Sequence, residues 1–173
     1  MNNGMPGLRG ADHLGLTVPS LDAAVAFFTD VIGCEYIYYG GEMSGDPTFM
    51  VERLNVHPQA AMKYCFLRCG NGYNFELFEY TSPDQAPQPP KNSDIGGHHI
   101  ALYVDDIWAA VAHLRAKGIR VLGDPMTITE GPSAGASWVY FMAPWGLQME
   151  LCSYPHGKAY ALSAKRLLWD PRG

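Results

Sequence analysis

The sequence predicts an α+β protein built from two tandem βαβββ modules, and three matched pairs of segments carry that prediction. His13-Leu-Gly-Leu-Thr-Val18 returns as His99-Ile-Ala-Leu-Tyr-Val104, 86 positions later. Ala23-Ala-Val-Ala26 returns at the same offset as Ala109-Ala-Val-Ala112. Near the end of each copy, Gly72-Tyr-Asn-Phe-Glu76-Leu77 returns as Gly146-Leu-Gln-Met-Glu150-Leu151. Self-similarity of this kind marks a duplicated supersecondary unit.

Each copy reads as strand, helix and three strands. Alternating side chains over 12–18 and 98–104 suit a strand. Ser20 and Asp106 then cap helices over 21–32 and 106–117, which Gly33 and Gly118 end as residues free to take positive φ. Strands follow over 35–40, 61–68 and 73–80 in the first copy, and over 119–122, 136–142 and 147–153 in the second. The first copy carries an insertion of about one short helix, which Asp46-Pro47 opens as cap and first-turn proline. The expected organisation is a flexible N-terminal stretch over 1–10, a first module over 11–81, a linker over 82–96 and a second module over 97–153. The linker is assigned on its prolines, which cannot donate to a ladder and favour extended chain. The tail over 154–173 exceeds what the second module needs and is expected to contact a partner subunit in a homodimer.

Composition narrows the function. The chain has 173 residues, 47% of them hydrophobic and 17% charged, with no apolar run long enough for a membrane span. The formal charge of −5 comes without a basic stripe, which excludes the footprint of a nucleic-acid binder and leaves small molecules as partners. The first ten residues lack an apolar signal region, so a cytoplasmic location is expected. Cys34, Cys65, Cys69 and Cys152 form no CxxC pair and read as reduced structural thiols.

The strand period places the candidate chemistry. His13 shares its face with Gly15 and Thr17, while Leu14, Leu16 and Val18 face the other way. By the same parity Glu76 lies with Asn74, Phe78 and Tyr80, His99 with Ala101 and Tyr103, and Glu150 with Gln148 and Cys152. If the sheets curve into a partly open, barrel-like wall around one cleft, His13, Glu76, His99 and Glu150 converge as two imidazoles and two carboxylates. Such a set suits one divalent Fe, Mn, Co, Ni or Zn ion and leaves positions open for substrate. Acids inside otherwise apolar strands need a partner, and a metal supplies one. Tyr80 and Tyr103 are candidate substrate contacts within a set of strand aromatics. Thr129–Ala136 reads as a mobile flap, since no Lys-Ser/Thr follows its glycines as a phosphate loop requires.

These motifs resemble the vicinal oxygen chelate superfamily, which includes glyoxalase I, methylmalonyl-CoA epimerase, extradiol dioxygenases and the fosfomycin- and bleomycin-resistance proteins. The resemblance spans residues 11–153. It rests on His13 before Pro-Ser-Leu-Asp, on Phe-Glu76-Leu, on Gly-Gly-His-His99-Ile-Ala-Leu-Tyr-Val-Asp-Asp, and on Ala-Pro-Trp-Gly-Leu-Gln-Met-Glu150-Leu. It implies a metal that holds two neighbouring substrate oxygens as a Lewis acid. An acid at position 76 is similar to the glyoxalase I pattern, whereas the dioxygenase pattern uses only the equivalents of His13, His99 and Glu150. The expected activity is therefore that of a lyase or isomerase passing through an enediolate-like intermediate, with Glu150 as first choice for general base, Glu76 as second choice for that role, and both histidines as neutral ligands. The alternatives are an Fe(II) extradiol-type dioxygenase and a metal-free drug-binding resistance protein. Thr17 stands where glyoxalase I resembles an Arg that holds glutathione, and the chain departs from that pattern there. His98 should face away from the metal by strand parity.

Overall fold

Alternation at the head of the chain does produce a strand, β1 (His13–Thr17), and a helix follows it, α1 (Leu21–Ala26), which continues as a π-helix over Phe27–Ile32. The first module then runs through β2 (Glu35–Met43), α2 (Pro47–Glu52), β3 (Ala61–Cys69) and β4 (Tyr73–Thr81). The second comprises β5 (Ile100–Tyr103), α3 (Ile107–Ala116), β6 (Arg120–Val121), β7 (Met126–Thr127), β8 (Ser137–Met142) and β9 (Gln148–Ser153). This computed structural model describes residues 4–172. The chain divides into two compact units, Met1–Gln85 and Ala86–Gly173. The expectation for the N-terminal stretch falls partly on residues 1–3, which lie outside the described residues. Among the described residues no helix is long and apolar enough to cross a membrane.

The first sheet has the order β1-β4-β3-β2 and the second β5-β9-β8-β6, with β7 also on β8. In each sheet the first strand of the module runs parallel to its last, β1 with β4 and β5 with β9, and the other pairs are antiparallel. A parallel pair needs a crossover, which the helix and the following strands supply.

Helix entry follows the expected chemistry. Ser20 Oγ accepts from the Ala23 N–H at 3.3 Å, and the Asp106 carboxylate accepts from the N–H groups of Trp108 and Ala109, both at 3.0 Å. The start of α1 is further tied to its sheet by Glu79, whose Oε2 accepts from the Leu21 N–H at 2.6 Å and pairs with Lys63 at 3.1 Å. Burial acts to raise the Glu79 pKa, but the Leu21 N–H and Lys63 prevail and hold it low. In the insertion Asp46 caps α2 through Phe49 N–H, with Pro47 in the first turn.

The helix-facing side of each sheet is the core. In the first module Phe28 and Phe75 are fully buried with ring centroids 5.0 Å apart, beside Ala24, Leu67 and Leu77. In the second module Val111 and Leu114 of α3 lie in the core with Val139, Phe141, Met149 and Leu151. The strand β2 is longer than its alternation indicates, because irregularities between Tyr36 and Tyr38 and between Tyr39 and Gly41 extend its pairing with β3. A Cβ at Gly40 would stand 2.1 Å from the Tyr64 ring, so glycine lets that ring lie over the strand.

Two loops differ from expectation. Residues 128–136 are not a free flap: Ile128 and Ala136, Gly135 and Ile128 bond backbone to backbone, and Ala159 and Tyr160 of the tail donate to Ala134 and Pro132. The later part of the linker folds into turns over 91–97, where Lys91 N–H donates to Asp94 and Gly97 N–H to the Asp94 carbonyl. A Cβ on Gly97 would stand 2.0 Å from the Lys91 carbonyl oxygen, so this turn requires glycine. The tail returns to its own module: Arg172 Nη1 donates to the Tyr154 and Pro155 carbonyls, and Asp170 holds the guanidinium at 2.6 Å.

Two expectations follow. Phe75→Ala removes a fully buried ring and should cost about 3–5 kcal/mol, read from urea unfolding. The Asp170 carboxyl is held down to about 2 by its hydrogen bonds to Arg172. A depressed folded pKa contributes stability above the ordinary carboxyl range that is lost only as pH falls through the folded value. Amide exchange at Arg172 should therefore be as protected at about pH 4, near the ordinary Asp pKa, as at neutrality, and Asp170→Asn should remove the protection.

Candidate metal and acid–base site

The parallel pairing is what makes the site. Glu76 on β4 lies opposite Gly15 on β1, and Glu150 on β9 opposite Ala101 on β5. His13 and His99 stand two residues before those small partners, on the same face, so each imidazole meets its glutamate diagonally across the strand pair. His13 Nε2 is 3.1 Å from Glu76 Oε2, and His99 Nε2 is 2.9 Å from Glu150 Oε2. Gly15 and Ala101 leave room for the carboxylates; a Cβ at Gly15 would already touch Phe78 at 3.5 Å.

The surroundings repeat as well. Phe66 pairs with Glu76 across β3 and β4, and Tyr140 pairs with Glu150 across β8 and β9. Each of these rings stands edge-on to its histidine, with centroids 5.4 Å apart for His13–Phe66 and 5.2 Å for His99–Tyr140. The Nδ1 atoms are also engaged. His13 Nδ1 lies 2.7 Å from Asp12 Oδ2, and His99 Nδ1 lies 3.3 Å from the carboxamide of Asn92, which the 91–97 turn delivers. The Asp12 backbone is in turn held by Asn74, whose Nδ2 donates to its carbonyl.

The two pairs differ electrostatically. The hydrogen bond that His13 Nδ1–H donates to Asp12, against the opposing effect of burial and with help from the Glu76 charge, holds the His13 pKa above the ordinary imidazole value. Burial pushes the Glu150 carboxyl up, against the pull of His99 and Lys158. A carboxylate in that condition is a stronger proton acceptor than one in water. Tyr140 is raised by burial and by the Glu150 charge.

The other expected residues fall as follows. Tyr80 lies on the Glu76 face of β4 against Phe78, at 5.6 Å between centroids, and burial followed by the Glu76 charge raises its pKa. Tyr103 packs edge-on against Tyr154 at 4.8 Å, and Tyr154 also carries Lys158 Nζ 4.1 Å over its ring. His98 turns Nδ1 to the Gly96 carbonyl at 3.1 Å, outside the His99–Glu150 pair. Three contributors escaped the sequence reading. Tyr140 is legible in hindsight, since it precedes Glu150 by the interval at which Phe66 precedes Glu76. Asp12 is marked only by its place beside His13. Asn92 carries no signal, because its contact depends on how the linker turns.

Imidazole nitrogen and carboxylate oxygen are suitable donors for a divalent cation, and a histidine whose Nδ1 is anchored by a carboxylate presents Nε2 as ligand. The donor set of each module thus fits a metal. Among the described residues of each module the donors form a pair, and no group of three or more is arranged to hold an ion.

The model of the Glyoxalase/Bleomycin resistance protein/Dioxygenase superfamily matches residues 12–140. A 2-epi-5-epi-valiolone epimerase from Actinomyces sp. is 48% identical over 172 residues, covering 98% of this chain and 93% of that protein. The mitochondrial methylmalonyl-CoA epimerase of Bos taurus is 30% identical over 119 residues, covering 68% of this chain and 59% of that one. The crystal structure of a glyoxalase family protein from Bacillus cereus superimposes with a TM-score of 0.66 at 19% identity, over 87% of this chain and 98% of that one.

Proposed function

The chain belongs to the glyoxalase/bleomycin resistance protein/dioxygenase superfamily, and from that premise we propose that it is a metal-dependent epimerase, inverting a carbon next to the carbonyl of a small ketone such as 2-epi-5-epi-valiolone. The observation that carries the reading is the repeated His–Glu contact, 3.1 Å in the first module and 2.9 Å in the second. The similarity to an epimerase over nearly the whole of both chains supports the reaction type and the substrate class.

Epimerisation needs a proton removed from one face of a carbon and another delivered to the opposite face. Glu150, with its raised basicity, is the general base, and Glu76 is the second candidate for that role. The His13–Glu76 and His99–Glu150 pairs are the donors that would hold a divalent ion, which when bound polarises the substrate oxygens and makes the neighbouring C–H more acidic. Asp12 and Asn92 orient the two imidazoles. Tyr80 and the aromatic residues beside Glu76 offer apolar faces to the substrate ring, while Tyr103 with Tyr154 closes the corresponding side in the second module.

Incubation with 2-epi-5-epi-valiolone in D2O tests the reaction by NMR. Inversion with uptake of solvent deuterium at the inverted carbon is expected, and turnover without deuterium uptake would count against proton transfer. Glu150→Gln should lower kcat/KM by roughly 10²–10⁴-fold. Oxygen consumption on a catechol substrate would replace this reading with the dioxygenase one. His99→Ala should abolish stoichiometric metal in elemental analysis while leaving the circular dichroism unchanged, because the ligand face is not the face that packs the helices. Unfolding of that variant would refute the assignment.

A further inference from the structure

The first module holds two cysteines in a place that its chemistry does not use. Glu35 on β2 pairs with Arg68 on β3 in antiparallel register. Cys34, the residue before β2, lies beside Cys69 at the end of β3, within hydrogen-bonding reach of it. Both lie on the helix-facing side of the sheet, in line with the Tyr36–Leu67 pair, and so on the side away from His13 and Glu76. Directly opposed residues of an antiparallel pair have Cα atoms about 4.5–5.5 Å apart, within the roughly 4.4–6.8 Å that a disulfide spans.

We propose that Cys34 and Cys69 are an oxidation site, forming a reversible cross-strand disulfide when the protein meets a hydroperoxide.

The two thiols are unequal in a way that suits this chemistry. Cys34 is buried, whereas Cys69 keeps part of its surface on solvent. The Cys34 thiol donates to the Cys69 sulfur, which holds the Cys69 pKa below the ordinary thiol value despite its burial. That hydrogen bond, burial and the Cys69 charge all push the Cys34 thiol up. Cys69 is thus the accessible nucleophile and Cys34 the resolving thiol. The Cys69 thiolate attacks one peroxide oxygen, the O–O bond breaks, and the departing hydroxide takes a proton and leaves as water, so that Cys69 becomes a sulfenic acid. The Cys34 sulfur then attacks the Cys69 sulfur, the S–O bond breaks, and hydroxide leaves as a second water with the Cys34 proton. Two thiols are oxidised by two electrons and one hydrogen peroxide is reduced to two waters.

The other cysteines do not share this arrangement. Cys65 faces the core opposite Tyr39, and burial pushes its pKa up to about 11. Cys152 belongs to the second module, opposite Trp138 and Tyr103.

The full chain treated with hydrogen peroxide, alkylated and mapped by mass spectrometry decides the matter without any variant. The expected product is a Cys34–Cys69 linked peptide, with an intact mass lower by about 2 Da and fully restored by dithiothreitol. Closing the loop between them should raise Tm by roughly 5–10 °C. Cys34→Ser should carry Cys69 on to sulfinic acid. Recovery of both cysteines alkylated, or a disulfide from either to Cys65, Cys152 or a second chain, would overturn the proposal.

Discussion

The structure depends on one constraint: in each module the first strand must lie parallel to the last. A hairpin cannot make that pair, so the chain has to cross over through a helix and return by a meander of strands. The outcome is that a histidine from the start of the module and a glutamate from its end become diagonal neighbours. Small residues opposite the glutamates, Gly15 and Ala101, are part of the same constraint, because a bulky side chain there would occupy the space the carboxylate needs. The His–Glu contacts are thus a consequence of topology before they are a matter of side-chain preference.

Duplication gives the two modules the same frame but not the same chemistry. Phe66 has become Tyr140 at the ring that stands edge-on to the histidine, and Asp12 is matched by Asn92 at Nδ1. The carboxylate at Nδ1 of His13 favours a positively charged imidazole there. On the glutamate side of the second module, burial works against the Glu150 charge, and His99 and Lys158 offset it only partly.

Much of this was legible in the sequence, for a physical reason in each case. Strand parity placed His13 with Gly15 and Glu76 with Tyr80 because the side-chain period of a strand is fixed, and Ser20, Asp46 and Asp106 announced their helices because capping is local chemistry. What was not legible depended on long-range contact. β5 begins at Ile100, so His99 sits just ahead of the strand, held by Asn92 from a turn that Gly97 permits. The 128–136 segment looked free from its composition, but it bonds to itself and the tail takes the carbonyls of Pro132 and Ala134. Neither the prolines and glycines of the linker nor the small residues of that loop record which partners will satisfy their backbone. The bulges that lengthen β2 are equally invisible, since alternation breaks down at an extra residue.

The two faces of each sheet separate stability from chemistry. The helix face carries Phe28, Phe75, Leu67 and Leu77, and also Glu79, whose carboxylate is spent on the helix start and on Lys63. The opposite face of the same strand carries Glu76 and Tyr80. Glu76 and Glu79 are three residues apart in one strand, and parity alone sends one to the site and the other to the fold. A slip of one residue in the pairing of β4 would exchange these roles, burying Glu76 among apolar side chains without a partner and leaving α1 without its anchor. The register is therefore fixed by the cost of burying an unpaired carboxylate as well as by the apolar residues, and the same cost keeps Glu76 beside His13.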